Sequence, residues 1–218
     1  MSEEVNEENN EENGSGNIKI VLIGEMATGK TSLINAYLGL SFSKNVDSTL
    51  TPSVSQKEIQ INDATYLINM WDTAGQEQYR SMTKIFIKGS QIVIFVYDVT
   101  KENTFKELDY WVKSVEEYLG KEPILGVCGN KTDLFDQQEV DRENGEKYAK
   151  DIGALFRETS AKDDAKGFRK FVKELIEELL DKKGIFKKEG ERISIAKPDK
   201  KKKKKLPMLK IKRFYFYF

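Results

Sequence analysis

The tightest constraint on this chain is the passage from Ile18 to Leu38. An apolar run, Ile18-Lys19-Ile20-Val21-Leu22-Ile23, leads straight into Gly24-Glu25-Met26-Ala27-Thr28-Gly29-Lys30-Thr31, and Ser32-Leu33-Ile34-Asn35-Ala36-Tyr37-Leu38 follows. The first segment reads as a buried strand and the last as a helix. The eight residues between them fit GxxxxGK[ST], a loop whose backbone N–H groups surround phosphate oxygens. In that geometry Lys30 reaches the outer phosphates and the Thr31 hydroxyl faces magnesium. The helix that opens at Thr31 and Ser32 turns its electropositive N-terminus toward the anion.

Composition narrows the chemistry further. With no histidine in 218 residues, imidazole metal ligands, histidine bases and His-containing triads are excluded. A single cysteine, Cys128, excludes an intrachain disulfide, and neither a signal peptide nor a bilayer-length apolar run is visible. These features predict a cytoplasmic protein. The formal net charge of zero conceals two opposed ends. Residues 1–17 carry Glu3, Glu4, Glu7, Glu8, Glu11 and Glu12 with little apolar content, which predicts a disordered acidic arm. Residues 184–218 contain Lys200 to Lys205 and close on Phe214-Tyr215-Phe216-Tyr217-Phe218, and are expected to lack regular structure. The span 18–183 between them is the size of one domain, and 39% hydrophobic residues suffice for a core.

Within 18–183, strand-like runs at Glu58–Ile61, Tyr66–Trp71, Gln91–Tyr97, Ile124–Cys128 and Leu155–Thr159 alternate with amphipathic stretches. That alternation predicts a doubly wound α/β fold. Phe105, Leu108, Trp111, Val112, Val115 and Leu119 recur at helical spacing, as do Phe168, Phe171, Val172, Leu175, Ile176 and Leu179. Asn62-Asp63 separates two strand-like runs and predicts the one hairpin, which makes the second strand antiparallel.

Three further segments follow predicted strands. Asp72, in Trp71-Asp72-Thr73-Ala74-Gly75-Gln76-Glu77, stands where open α/β sheets bind ligands and where a carboxylate holds a magnesium-bound water. Gly75 brings backbone near a terminal phosphate, and the Gln76 carboxamide can both accept from and donate to an attacking water. In Gly129-Asn130-Lys131-Thr132-Asp133, the Asp133 carboxylate can accept from two donors on a guanine edge that adenine lacks, while the Lys131 stem lies over the base. Thr159-Ser160-Ala161-Lys162 offers a backbone N–H for the guanine oxygen. An ATP-dependent enzyme is disfavoured by Asn130, Lys131 and Asp133.

GEMATGKT, WDTAGQE, NKTD and ETSAK, in that order, make the chain resemble the small Ras-like GTPases over residues 18–183. Trp71, the run Tyr97-Asp98-Val99-Thr100 with Phe105 and Trp111, and Glu158 to Lys162 look most like the Rab branch. The resemblance implies a P-loop GTPase fold with a six-stranded, mostly parallel sheet and five helices. It further implies a monomer that binds GTP or GDP with magnesium and hydrolyses GTP slowly to reset a signalling switch. Effectors, exchange factors and GTPase-activating proteins are the implied partners, a role in vesicle traffic comes with the Rab likeness, and no nucleic acid is expected. Spacing from Lys30 and to Trp71 selects Thr49 as the switch residue on magnesium, with Thr51 before Pro52 as the competitor. The same count puts Phe42 beside the guanine.

Two departures stand out against that family. Met26 occupies a loop position that relatives fill with a small residue, and its side chain is expected to hinder activator-stimulated hydrolysis. Thr51 and Val54 replace residues of the Rab pattern in the effector-reading segment. The tail carries no prenylation cysteine as written. Its lysines and aromatics instead predict peripheral contact with anionic membrane, with a functionless tail as the alternative. The rival to a hydrolysing switch is a GTP-binding adaptor with an altered first switch.

Overall fold

The computed structural model describes residues 16–43, 49, 52–61, 64–73, 83–185 and 212–215, with backbone alone at 83, 84 and 212–215. The acidic arm up to residue 15, Thr51, the Asn62-Asp63 turn, Gly75, Gln76 and the lysine run 200–205 lie outside the described residues. The elements run β1 (Gly16–Ile23), α1 (Lys30–Leu38), β2 (Ser53–Ile61), β3 (Ala64–Asp72), α2 (Thr83–Ile87), β4 (Ile92–Asp98), α3 (Glu102–Lys106) and α4 (Leu108–Leu119). They continue with β5 (Ile124–Asn130), a 3-10 turn (Thr132–Gln137), α5 (Arg142–Asp151), β6 (Leu155–Glu158), α6 (Ala165–Lys182) and β7 (Lys212–Tyr215).

Among the described residues all strands join one sheet in the order β6-β5-β4-β1-β3-β2-β7. β1 is parallel to both β3 and β4, β5 is parallel to β4 and β6, and β2 is antiparallel to β3. Ile61 pairs with Ala64 at the hairpin's end, in keeping with a two-residue connection. The strands show why both sheet faces must be covered. Successive residues of β4 alternate between two cores: Ile92, Ile94 and Val96 pack with α1 and α6, while Val93, Phe95 and Tyr97 pack with α4 and α5. A strand buried on both sides reads as a continuous apolar run rather than an alternation.

The expected helical stripes lie against these faces. Leu108, Trp111, Val112 and Val115 are buried on α4, and Phe105 and Leu119 pack partly buried beside them. On α6 every residue of the stripe from Phe168 to Leu179 is buried. α3 and α4 abut at Glu107, whose backbone stays helical at φ −69° and ψ −9°, so the two make one helix with a kink. Counted so, the described residues hold five α-helices, the number expected.

β2 begins at Ser53, several residues before its sequence signal, because Ser53 to Lys57 carries no apolar alternation and is made a strand by its neighbours. The tail, expected to lack regular structure, contributes β7, which pairs antiparallel with β2. Gly16 and Asn17, assigned to the acidic arm, begin β1 opposite Tyr66 and Leu67.

Candidate functional site

The loop between β1 and α1 takes a path that fixes its residue types. Gly24 has φ 147°, and a Cβ there would run into the Val96 carbonyl. Gly29 has φ 94°, and a Cβ there would meet Asn130 Nδ2. Ala27 also holds a positive φ of 62°, a strained choice for a residue with a side chain. Gly29 is the N-cap of α1 and supplies no side-chain acceptor, and the first turn has no acidic residue. The helix therefore turns its first N–H groups and dipole toward the loop without a side-chain cap from its N-cap residue.

Lys30 sits inside this cradle at 5% exposure. Its ammonium donates to the carbonyl oxygens of Gly24 and Glu25, each at 2.9 Å. Burial pushes its pKa down to about 8, against the opposing pull of Asp72 and Glu25. A buried cation that costs free energy to desolvate is stabilised by an anion brought to it. The loop and Lys30 thus fit a phosphate group.

Beside them three oxygens converge. The Thr31 hydroxyl donates to Asp72 Oδ2 at 2.8 Å and lies 2.9 Å from the Thr49 hydroxyl. With its one hydrogen committed to Asp72, Thr31 accepts from Thr49. Thr49, rather than the undescribed Thr51, is thereby joined to Thr31 and Asp72. Hard oxygen donors of this kind, one carboxylate and two hydroxyls, suit magnesium completed by phosphate oxygens and water. Among the described residues no group of three or more His, Cys, Asp or Glu gathers for a metal, so a cation here would depend on this mixed set. Thr73 Oγ1 donates to the Leu22 carbonyl at 2.8 Å and pins the chain where it leaves β3 toward Gly75 and Gln76.

The base side is assembled by two loops that cross-brace each other. Asn130 is 1% exposed; its Nδ2 donates to the Thr28 carbonyl at 2.8 Å and its Oδ1 accepts from the Ala161 N–H at 3.1 Å. That single amide ties the phosphate loop to the end of β6. Of the segment expected to offer a backbone N–H to a base oxygen, the Ala161 N–H is directed at Asn130 here. Ser160 Oγ donates to Asp133 Oδ1 at 2.6 Å and accepts from the N–H groups of Lys162 and Asp163. Lys162 Nζ lies 3.6 Å from Asp133 Oδ2. Lys131 adopts φ 73°, and its ammonium pairs with Asp98 at 2.6 Å, which fixes the course of its aliphatic stem. Phe42 is exposed beyond the end of α1, and Ser32 is half-buried in its first turn.

Met26 stands at the rim with 49% exposure, so it does not fold away into the core. Several supports were not foreseen. Asp98 holds Lys131 and also accepts from the Thr100 N–H and hydroxyl. Trp111 Nε1 donates to Glu25 Oε1 at 3.2 Å, coupling α4 to the phosphate loop. Neither Asp98 nor Glu25 carries a local pattern that names its partner.

The profile of the Ras family matches residues 19–181, from β1 almost to the end of α6.

Proposed function

The chain belongs to the Ras family of small GTPases, and on that premise we propose that it is a Rab-like molecular switch that binds GTP or GDP with magnesium and hydrolyses GTP slowly. The observation that carries this reading is the convergence of Thr31, Thr49 and Asp72 beside the uncapped N-terminus of α1 and the buried Lys30. Gly24 to Ser32 hold the phosphates, with Lys30 on the outer ones. Asp133 accepts from the guanine edge, Lys131 and Phe42 flank the base, and Asn130 with Ser160, Ala161 and Lys162 keeps the base loops in register. Magnesium, when bound, neutralises charge on the terminal phosphates. Thr49 is bonded to Thr31, and that bond is the contact through which the segment before β2 senses the terminal phosphate. Gly75 does the same after β3, and Gln76 orients the attacking water from a segment whose start is pinned by Thr73. The Rab likeness supports a role in vesicle traffic, with a cytoplasmic protein that meets anionic membrane through its lysine-rich tail.

A GTP-binding adaptor that does not hydrolyse is favoured by one feature, the exposed Met26 at the loop's rim. Single-turnover hydrolysis of bound GTP separates the two. Wild type should turn over slowly, with Gln76→Leu and magnesium chelation each suppressing the rate. A negligible wild-type rate that neither change alters, with GTP bound, gives the adaptor reading.

A further inference from the structure

We propose that the chain's own Lys212–Tyr215 acts as an intramolecular cover on the edge of β2 at Ser53–Gln56, closing that edge to strands of other chains until it is displaced. The pairing is antiparallel and four residues long: Ser53 with Tyr215, Val54 with Phe214, Ser55 with Arg213 and Gln56 with Lys212. An edge strand carries a row of N–H and C=O groups that any extended chain can satisfy, and proteins cover such edges. Three of the four covered residues are buried. Ser53, Val54 and Ser55 are 1%, 6% and 2% exposed, whereas Glu58 and Gln60 further along β2 are exposed.

The occupant's sequence suits the task, because Phe214 and Tyr215 favour extended backbone and no proline occurs from Lys210 to Phe218. The chain between Ile185 and Lys212 can span tens of ångströms at about 3.3 Å per extended residue, so one molecule can reach its own edge. Tethering gives the strand an effective concentration on the order of millimolar. A four-residue pairing held in this way is displaceable by a longer strand from a partner.

The edge also lies in line with the candidate site. Ser53 is in register with Tyr215 on one side and with Asp72 on the other, and Asp72 is in register with Leu22 on β1. Thr49 lies just upstream of β2. Any link between bound nucleotide and release of the tail rests on the proposed GTPase reading; the docking itself does not.

The test uses the full chain loaded with GDP, reading amide exchange along β2 by NMR. Neighbouring strand residues turn their N–H groups to opposite sides, so Arg213→Pro combined with Phe214→Pro removes whichever one faces β2. Amides of Ser53–Gln56 that face away from β3 should exchange about tenfold faster or more in the double variant. Amides of β1 and β4 should be unchanged, which reports an intact fold. A synthetic peptide of Lys210–Phe218 added to the variant should restore protection. Equal exchange in wild type and variant overturns the proposal, as does a peptide that restores nothing. Wild-type protection that disappears on dilution would assign the strand to a second copy and overturn the tail as resident occupant. Because GDP is bound throughout and no hydrolysis is measured, these failures are separate from a failure of the GTPase reading.

Discussion

Asn130→Ala should loosen the whole nucleotide end of the domain rather than one contact. Its side chain makes two bonds that are both buried, to the Thr28 carbonyl at 2.8 Å and from the Ala161 N–H at 3.1 Å. Truncation leaves one carbonyl and one N–H without these partners, each costing about 1–3 kcal/mol when water cannot replace the bond. The expected loss of folding stability is therefore about 2–6 kcal/mol. For a domain of this size about 2–4 °C accompanies each kcal/mol, so the melting temperature should fall by about 4 °C at least. Bound GDP adds stability of its own in proportion to ln(1 + [L]/Kd), so the comparison needs a separately measured Kd for each protein and subtraction of that contribution. Denaturant unfolding with GDP present, corrected in this way, gives the intrinsic loss. A corrected loss below about 0.5 kcal/mol would refute the bracing role, since it would mean that neither orphaned group is dry.

Asp72→Asn and Thr49→Ala should each weaken the magnesium dependence of nucleotide retention while leaving the fold intact, checked by nucleotide release with and without chelator; unchanged magnesium dependence in both would remove them from the cation site. Met26→Gly should raise hydrolysis stimulated by a GTPase-activating protein by at least about tenfold, because the arginine such proteins supply is worth about 10³ to 10⁵ in rate and the exposed Met26 side chain is expected to hinder its approach. An unchanged stimulated rate would mean that the side chain swings clear. Lys30 sets a pH signature: below its depressed pKa of about 8 the folded and unfolded chains both carry the ammonium and its burial cost is present in full. As pH rises from about 8 toward the ordinary 10.5, the folded state loses its proton first and the unfolded state binds more, so stability of the nucleotide-free protein should rise. Saturating GDP should abolish that rise, and an equal rise in Lys30→Met would assign it to another group.

The site and the fold were legible to different depths. The phosphate loop could be read directly because its conformation requires Gly24 and Gly29 and its chemistry requires Lys30 and Thr31, all within eight residues. β4 was legible because a continuous apolar run reports a strand buried on both faces, and α6 because a period of 3.6 residues reports one buried face. The polar start of β2 was not, since nothing in Ser53 to Lys57 says that it will lie between two other strands. α5 was equally quiet: of its residues only Gly145 and Ala149 are buried, and Gly145 is required because a Cβ would crowd Tyr97 and Phe156.

By itself, then, the order of the motifs and the hydrophobic periods determined a doubly wound sheet with ligand-binding loops at its strand ends. Tertiary structure alone decided which distant groups meet. Thr31 bonds Asp72, Asn130 bonds Thr28, Trp111 bonds Glu25, Asp98 holds Lys131, and the tail pairs with β2. Propensity and periodicity act over one turn or one strand, whereas these contacts join residues that only the closure of the sheet and the packing of α4 and α6 bring within hydrogen-bonding distance.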